Sequence, residues 1–397
     1  MLAQTHIDTV KATIPVLASA GTAITEHFYK RMFTHNPELK DVFNMSHQAT
    51  GRQPAALFDA IAAYATHIDN LDVLTGAVMR IAHKHTSFNI KADQYAIVGH
   101  HLIETLRELL GDAFTPEIEE AWGAAYQQLA DIFIQVEGDL YKANAAKDGG
   151  WEEFRTFRVA QKQLESELVT SFVLEPVDQQ PVMDYVPGQY LGLKVHPSDH
   201  EFDEIRQYSL STAPNGKNYR ISVKRELNDT KNGVVSNYLH DSVEVGDEVA
   251  LMPPAGDFHY QERERPVVLI SAGVGLTPMN AILDTLVQQG TNNPVFYLHA
   301  CRTPSQHSFG EHVASLAERI NLTHYTWFEH QAPENEDHSL AGQMQLAQIA
   351  EILPVNDGDF YLCGPVGFMM FAKAQLLSLG VSEDRIHYEV FGPHQSF

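Results

Sequence analysis

The residues best suited to chemistry begin with a glycine turn, Ser271-Ala272-Gly273-Val274-Gly275-Leu276-Thr277-Pro278, which follows the apolar run starting at Val267. Glycines let a backbone approach a pyrophosphate closely. A helix opening near Pro278 adds amide donors and the positive end of its dipole. The third glycine of the usual dinucleotide fingerprint is missing, so a plain strand-to-helix turn suits this motif equally well. Tyr361-Leu362-Cys363-Gly364-Pro365 has the same strand-to-helix character. Ligands of open α/β sheets sit at the carboxyl ends of strands, so both motifs would point into one crevice. Taken alone, Cys363 also reads as a small buried hydrophobe. A third group, Arg206-Gln207-Tyr208-Ser209, follows Pro187-Gly188-Gln189-Tyr190. On a strand Arg206 and Tyr208 share a face, an anion-binding guanidinium beside an aromatic plate, although an ordinary half-exposed strand accounts for them too.

The chain has 21 histidines, but their spacing restrains a metal reading. There is no His-Glu-x-x-His. His196 and His200 are four apart, yet Pro197 and the surrounding acids suit a solvated loop. His83 and His85 are two apart, so on a helix they diverge and cannot share one ion.

These groups must be positioned by 397 residues carrying 51 acidic and 27 basic side chains, a formal net charge of −24. Such a charge repels a phosphate backbone or an anionic bilayer, and no Lys/Arg run offsets it. Apolar content of 44% and charged content of 20% are those of a globular protein. At about 100–200 residues per domain the length allows two to four domains. Cys301 and Cys363 are too few for a disulfide framework and suit a reducing cytosol. No stretch reaches the roughly 18 apolar residues that span a bilayer. Ile7, Val10, Ile14 and Leu17 recur at helical spacing, and no basic start precedes them, so the N-terminus reads as a core helix of a cytoplasmic protein, not a leader.

Three textures follow one another. Residues 1–147 are helical throughout, as in Leu57, Ile61, Tyr64 and Ile68, with breaks at Asn36-Pro37, near Gly51, around Thr86 to Asn89 and at Gly111 to Pro116. About six to eight helices are expected. Lys147-Asp148-Gly149-Gly150 marks a linker. Over 151–262 the period shifts to 2, in Phe154 to Val159, Tyr219 to Lys224 and Glu244 to Leu251, which predicts an antiparallel barrel. Over 265–397, apolar strands (Val267 to Ser271, Pro294 to Ala300, Phe360 to Leu362) alternate with helices (Pro278 to Gln289, Phe368 to Leu379), the signature of a parallel α/β sheet of Rossmann type.

In this order, barrel, Arg-x-Tyr-Ser, Gly-x-Gly-x-x-Pro and Cys-Gly-Pro resemble the ferredoxin-NADP reductase superfamily over residues 151–397. The resemblance implies FAD on the barrel, with Arg206 at its phosphates, Gln207 in the same segment, and Tyr190, Tyr208 and Ser209 near the isoalloxazine. Gly233 to Asn237 is similar to that superfamily's second flavin-phosphate segment. Gly273, Val274, Gly275, Leu276, Thr277 and Pro278 would hold NADH or NADPH together with Cys363 and Gly364. Glu389-Val390-Phe391-Gly392-Pro393 is similar to the segment that lays an aromatic ring against the flavin.

The helical segment resembles the globin domain of bacterial flavohaemoglobins. The likeness lies in Phe28-Tyr29, Met32 to Leu39, Val42-Phe43-Asn44-Met45 and Lys84-His85-Thr86-Ser87-Phe88. With the reductase behind it, the resemblance covers essentially the whole chain. It implies haem b with His85 as the proximal iron ligand, Tyr95 and Glu137 as its hydrogen-bonding pair, and Tyr29, Gln53 and Leu57 on the distal side. Phe43 would pack on the porphyrin, and Lys84 and Glu389 would lie where the two modules meet. Departures are few: Leu276 stands where relatives often carry glutamine, Val390 where cysteine is frequent, and Asn228 to Asn232 lengthens a turn. They bear on cofactor preference, not reaction type. Arg302, in the loop Cys301 to Ser305, could hold a 2′-phosphate; a solvent-facing arginine explains it equally.

What the resemblance implies is a monomeric nitric oxide dioxygenase that converts NO and O₂ to nitrate with electrons passed from NAD(P)H through FAD to haem. Its haem pocket would also be open to lipids or azoles. An oxygen- or redox-sensing haem protein and a flavin or ferric reductase without haem are the competing readings. The absorption spectrum of the purified protein is expected to show haem and flavin bands together, about one of each per chain. A flavin spectrum without a Soret band, even after supply of hemin, would leave only the reductase.

Overall fold

The computed structural model describes residues 2–45, 48, 51–227, 232–333 and 337–392. Contacts divide the chain into two compact units, Met1–Phe154 with Gly192–Arg206, and Arg155–Leu191 with Gln207–Phe397.

The helical part runs α1 (Gln4–Ala20), α2 (Ala23–His35), α3 (Arg52–Thr66), α4 (Thr75–Ser87), α5 (Ala92–Leu110) and α6 (Pro116–Ala145). The expected breaks at Asn36-Pro37 and Gly51 fall between helices, while Thr86 to Asn89 begins in the last turn of α4 and Gly111 to Pro116 runs up to the first residue of α6. Two others escape the hydrophobic period. Gly21, at φ +56°, stops α1 with its N–H on Leu17 O, and a turn with one 3₁₀ segment separates α3 from α4. Apolar spacing continues through both, so only backbone conformation reveals them. Thr115 caps α6, its hydroxyl accepting from Ile118 N, with Pro116 in the first turn. Val10, Leu17, Ile24, Tyr64, Leu106, Trp122 and Ala125 build one apolar cluster. Phe28, Tyr29, Met32, Phe33 and Leu102, with Phe43 and Leu57 packed against them, build a second.

Strands β1 (Arg155–Leu164), β2 (Val169–Pro176), β3 (Tyr190–Val195), β4 (Glu204–Ser209), β5 (Tyr219–Lys224) and β6 (Glu248–Leu251) form one sheet in the order β4-β3-β6-β1-β2-β5. Its pairings of β1 with β2 and β6, and of β2 with β5, are antiparallel. A bridge between Leu210 and Ile221 joins the two edges, giving the expected barrel closure. The last strand is shorter than its apolar pattern because Gly246, at φ +101°, turns the chain just before it. Between β5 and β6 lies α7 (Val234–Asp241).

The remaining strands are β7 (Val267–Ala272), β8 (Val295–Cys301), β9 (Leu322–Phe328), β10 (Ser339–Ala341), β11 (Asp359–Cys363) and β12 (Ile386–Glu389). They form a parallel sheet in the order β10-β9-β8-β7-β11-β12. Helices α8 (Leu276–Gln289), α9 (Gly310–Leu316) and α10 (Val366–Ser378) connect them. Apolar side chains cover both faces: Leu269, Met279 and Ile282 belong to one cluster, Val268, Ile270 and Leu376 to the other. That is why these strands read as continuous apolar runs without alternation. The strand order reverses between β7 and β11, the position where such sheets hold ligands.

The glycine turn sits at that reversal. A Cβ on Gly275 would stand 2.2 Å from Cys363 O, whereas one on Gly273 would meet nothing within 4 Å, although Gly273 has φ +53°. Gly275→Ala is therefore expected to cost about 1–3 kcal/mol through overpacking against backbone. Gly273→Ala should cost about 1–2 kcal/mol through left-handed strain alone. Urea midpoints with nucleotide titration check this: Gly275→Ala should lose nucleotide binding, and equal binding by the two variants would refute the close-approach role.

Candidate haem, flavin and nucleotide sites

His85 lies in the last turn of α4, and Glu137 lies within α6, where its side chain is buried. His85 Nδ1 is 2.7 Å from Glu137 Oε1 and 3.0 Å from Tyr95 Oη, while Tyr95 donates to the same Glu137 oxygen at 2.6 Å. Since Tyr95 spends its proton on Glu137, both oxygens facing Nδ1 are acceptors, so Nδ1 must carry hydrogen. Nε2 is then the lone-pair nitrogen, and both hydrogen bonds that the ring makes among the described residues use Nδ1. Burial, the Glu137 charge and the hydrogen bond to it hold the Tyr95 phenol well above its ordinary range. Phe133 packs on the imidazole, ring centroids 5.6 Å apart, and stacks on Tyr95. Sequence reasoning passed over Phe133, although its place one helical turn before Glu137 on α6 was the available signal.

Tyr29, on α2, is 5% exposed within the second apolar cluster. Its ring meets Phe28 and Phe43 edge-on and stacks on Phe33. Gln53, in the first turn of α3, donates to Tyr29 Oη at 3.4 Å. The phenol oxygen thus accepts from Gln53, and Gln48 is a second side chain hydrogen-bonded to the same phenol. Burial pushes that phenol up to about 12, so it remains a donor at neutral pH. Leu57, one turn after Gln53, and Phe43 pack against the same cluster. Phe43 and His85 thus belong to one helical unit with Tyr29, Gln53, Leu57, Tyr95 and Glu137.

This arrangement suits haem and not a bare ion. No group of three or more His, Cys, Asp or Glu among the described residues could hold a metal by itself. One imidazole with its far nitrogen fixed as donor is what an iron needs when a macrocycle supplies the other ligands. His196 and His200 are engaged otherwise, with Asp203 at 3.0 Å and Glu204 at 3.3 Å.

In the barrel, Arg206 and Tyr208 alternate with Gln207 on β4, and Ser209 ends that strand buried. Arg206 pairs with Glu204 at 2.8 Å and donates to Ile205 O. The available signal for that carboxylate was its position two residues before Arg206, on the same face of the strand. Tyr190 is buried, and its ring lies where a Cβ on Gly256 would come within 2.9 Å. Burial first, then the charges of Glu389 and Asp257, raise its phenol far above the usual range. Asn237 donates to Gly233 O at 2.7 Å and to Glu226 O at 2.9 Å, fixing the first turn of α7. A helix N-terminus so held, an anion-binding arginine and a buried aromatic plate are each features that suit a phosphate-bearing flavin.

The two glycine motifs do meet. Gly275 lies against Cys363, and a Cβ on Gly364 would stand 3.2 Å from Ala272 backbone. Leu276, Thr277 and Pro278 are buried in the first turn of α8, with Thr277 Oγ1 donating to Val274 O. Cys363 is fully buried, and desolvation first, then Glu389, holds its thiol well above the usual range; it is no thiolate nucleophile. Glu389 pairs in register with Cys363. Val390 is buried, Phe391 is 41% exposed, and Gly392 has φ +123°. Pro393 lies outside the described residues, as does the Asn228 to Lys231 part of the lengthened turn. Lys84 belongs to the first unit and Glu389 to the second. Arg302 is largely exposed and 3.6 Å from Glu329. Among the described residues, no helix is long and apolar enough to cross a membrane.

Three family descriptions match consecutive parts of the chain: Globin over residues 26–133, Oxidoreductase FAD-binding domain over 156–260 and Oxidoreductase NAD-binding domain over 269–374. The chain is 60% identical over 395 residues to a flavohemoprotein of Vibrio cholerae serotype O1, covering 99% of each. Among solved structures, flavohemoglobin from Malassezia yamatoensis with bound FAD and heme is 27% identical, with a TM-score of 0.86 over 98% of this chain and all of that one. The FAD/NAD binding domain of nitric oxide dioxygenase from Vibrio cholerae O1 biovar El Tor is 56% identical, with a TM-score of 0.57, covering 60% of this chain and 99% of that one. A haem-binding globin unit, a flavin barrel and a nicotinamide-nucleotide sheet in one polypeptide thus make this chain a member of the flavohaemoglobin family.

Proposed function

We propose that this protein is an NAD(P)H-dependent nitric oxide dioxygenase acting in the cytoplasm as a monomer, built from a globin domain (1–147), a flavin barrel (151–262) and a nucleotide domain (265–397). The observation that carries the reading is the His85–Tyr95–Glu137 triad, in one helical unit with a protonated Tyr29. The name of the relative with 56% identity in the reductase half supports it. When bound, the cofactors accept a hydride from nicotinamide, release its electrons singly and join NO with O₂ to give nitrate.

The chain's own residues supply the rest. Glu137, accepting from Nδ1–H, increases imidazole character toward an anion and makes His85 a stronger donor, the tuning that favours oxygen activation over passive storage. Tyr29 offers its phenolic proton on the opposite side, and Gln53 orients that phenol by donating to its oxygen. Leu57 limits the space between them. Amides of Gly273 to Thr277 and the dipole of α8 hold pyrophosphate, with Gly364 keeping the facing loop close. Arg206 and the start of α7 hold the flavin phosphates, while Tyr190, Tyr208, Ser209 and Val390 to Pro393 frame its ring. Lys84 and Glu389 carry the electron-transfer role that the family resemblance implies for them. Lipids or azoles would enter through the apolar surroundings of Leu57.

Tyr29→Phe should retain haem and accelerate oxygen release about tenfold, since one neutral hydrogen bond is worth about 0.5–1.5 kcal/mol. An unchanged off-rate would reject Tyr29 as donor. Glu137→Gln should lower both the iron–histidine stretching frequency in resonance Raman spectra and the rate of nitrate formation. Loss of nitrate formation with an unmoved stretch would deny the tuning role. His85→Ala should abolish the Soret band. Nitrate produced from NO with NAD(P)H separates this reading from a sensor, which would bind gases without turnover.

A further inference from the structure

The parallel sheet contains a transverse row of polar residues. Glu389, Cys363, Ser271, His299, Thr326 and Ser339 are register partners in succession from β12 to β10. Register partners in a parallel sheet project to the same face; Glu389 and Cys363 end their strands, Ser271 is next to the end of β7, and His299 and Thr326 lie two residues before the ends of β8 and β9. The row is buried at its centre: Ser271 is 0%, His299 1% and Thr326 7% exposed. Ser271 Oγ is 2.9 Å from His299 Nδ1. The His299 ring stacks on His307, centroids 5.6 Å apart at 14°, and His307 Nε2 is 3.4 Å from Thr326 Oγ1.

Burial drives His299 down to about 3, so it is neutral. Its Nδ1 is hydrogen-bonded to Ser271 Oγ, whose hydroxyl also reaches Leu298 O at 3.5 Å, which leaves Nε2 as the other ring nitrogen. That atom is buried and makes no hydrogen bond among the described residues. An unmade buried bond is a real cost, and a phenylalanine would avoid it. The compensating feature is what the imidazole joins. Ser271 is two residues before Gly273, where the phosphate turn begins. His307 ends the loop that follows β8, which closes on itself through Gln306 N to Thr303 O and His307 N to Pro304 O. Gly310 is shaped to this ring: a Cβ there would stand 2.6 Å from it. Next to it Phe309 takes the left-handed φ of +60°. In a dinucleotide-binding sheet the first turn takes the pyrophosphate and the end of the next strand takes the adenosine ribose.

We propose that His299 is a positioning residue that fixes the spacing between the pyrophosphate turn and the ribose loop, through its hydrogen bond with Ser271 and its stack on His307. The proposal rests on the nucleotide-binding reading of this sheet. Its ligand is a dinucleotide that spans both segments, whereas adenosine, which carries the ribose but no phosphate, engages only one of them and does not depend on that spacing.

The test uses the holoprotein with FAD and haem content measured in each variant. In His299→Phe the KM for NADH and the Kd for NAD⁺ should rise about tenfold, the loss of roughly one neutral hydrogen bond, with kcat within about twofold. The Kd for adenosine should stay within about twofold, because a general loosening would weaken both ligands alike. His299→Gln, whose side-chain oxygen can accept from Ser271, should recover most of the dinucleotide affinity. Should His299→Phe fail to fold, Ser271→Ala removes the same bond and should give the same selective loss. Equal weakening of NAD⁺ and adenosine, unchanged NADH kinetics in a cofactor-replete variant, or no recovery by glutamine would each overturn the role. Absence of NADH binding by the parent chain would instead refute the nucleotide reading beneath it.

Discussion

A carboxylate buried in the middle of a helix governs the haem side of this protein. Removing the Glu137 charge from water costs several kcal/mol unless hydrogen bonds replace the lost hydration. His85 and Tyr95 provide them at 2.7 and 2.6 Å on one oxygen. Each partner gains from the arrangement: the imidazole acquires a fixed tautomer, the phenol a fixed rotamer, and the carboxylate its solvation. Phe133 closes the group against the apolar interior. Removing any one member leaves another with an unmet hydrogen bond, so the unit is kept or lost together.

The nucleotide half obeys a steric constraint in place of an electrostatic one. Between β7 and β11 two backbones converge so closely that a single methyl group at Gly275 would collide with a carbonyl. Everything nearby follows from that approach: Cys363 is sealed from solvent, Leu276 and Pro278 are driven inward, and the start of α8 faces the reversal in strand order. Buried polar groups of this sheet include the Ser271, His299 and Thr326 row and, apart from it, Asp359 at the start of β11; within the row His299 Nε2 makes no hydrogen bond among the described residues.

Much of this was legible in the residues. Periodicity of 3.6, then 2, then alternation of apolar strands with helices separates all-helical, barrel and parallel-sheet segments, because burial on one stripe, one face or both faces leaves a distinct pattern. The glycine turn and Cys-Gly-Pro announce close backbone approach before any fold is drawn. The breaks at Gly21 and between α3 and α4 were not legible, since apolar spacing runs across them. Phe133 near His85 and Glu204 beside Arg206 had only weak local signals, one helical turn from Glu137 and alternate positions on one strand, and the Ser271–His299–His307 stack was not legible.

By itself, the sequence determined which elements form and where ligands must come close, since period, glycine and proline act over a few neighbouring residues. Tertiary structure alone decided which of the 51 acids is buried beside an imidazole. Glu137 is 52 positions from His85 and 42 from Tyr95, and no local pattern encodes a meeting across such separations. The same holds for His299, ordinary on its strand until Ser271 and His307 are folded onto either side of it. Desolvation is a property of the assembled neighbourhood, and it sets the protonation and the role of a side chain that composition leaves undefined.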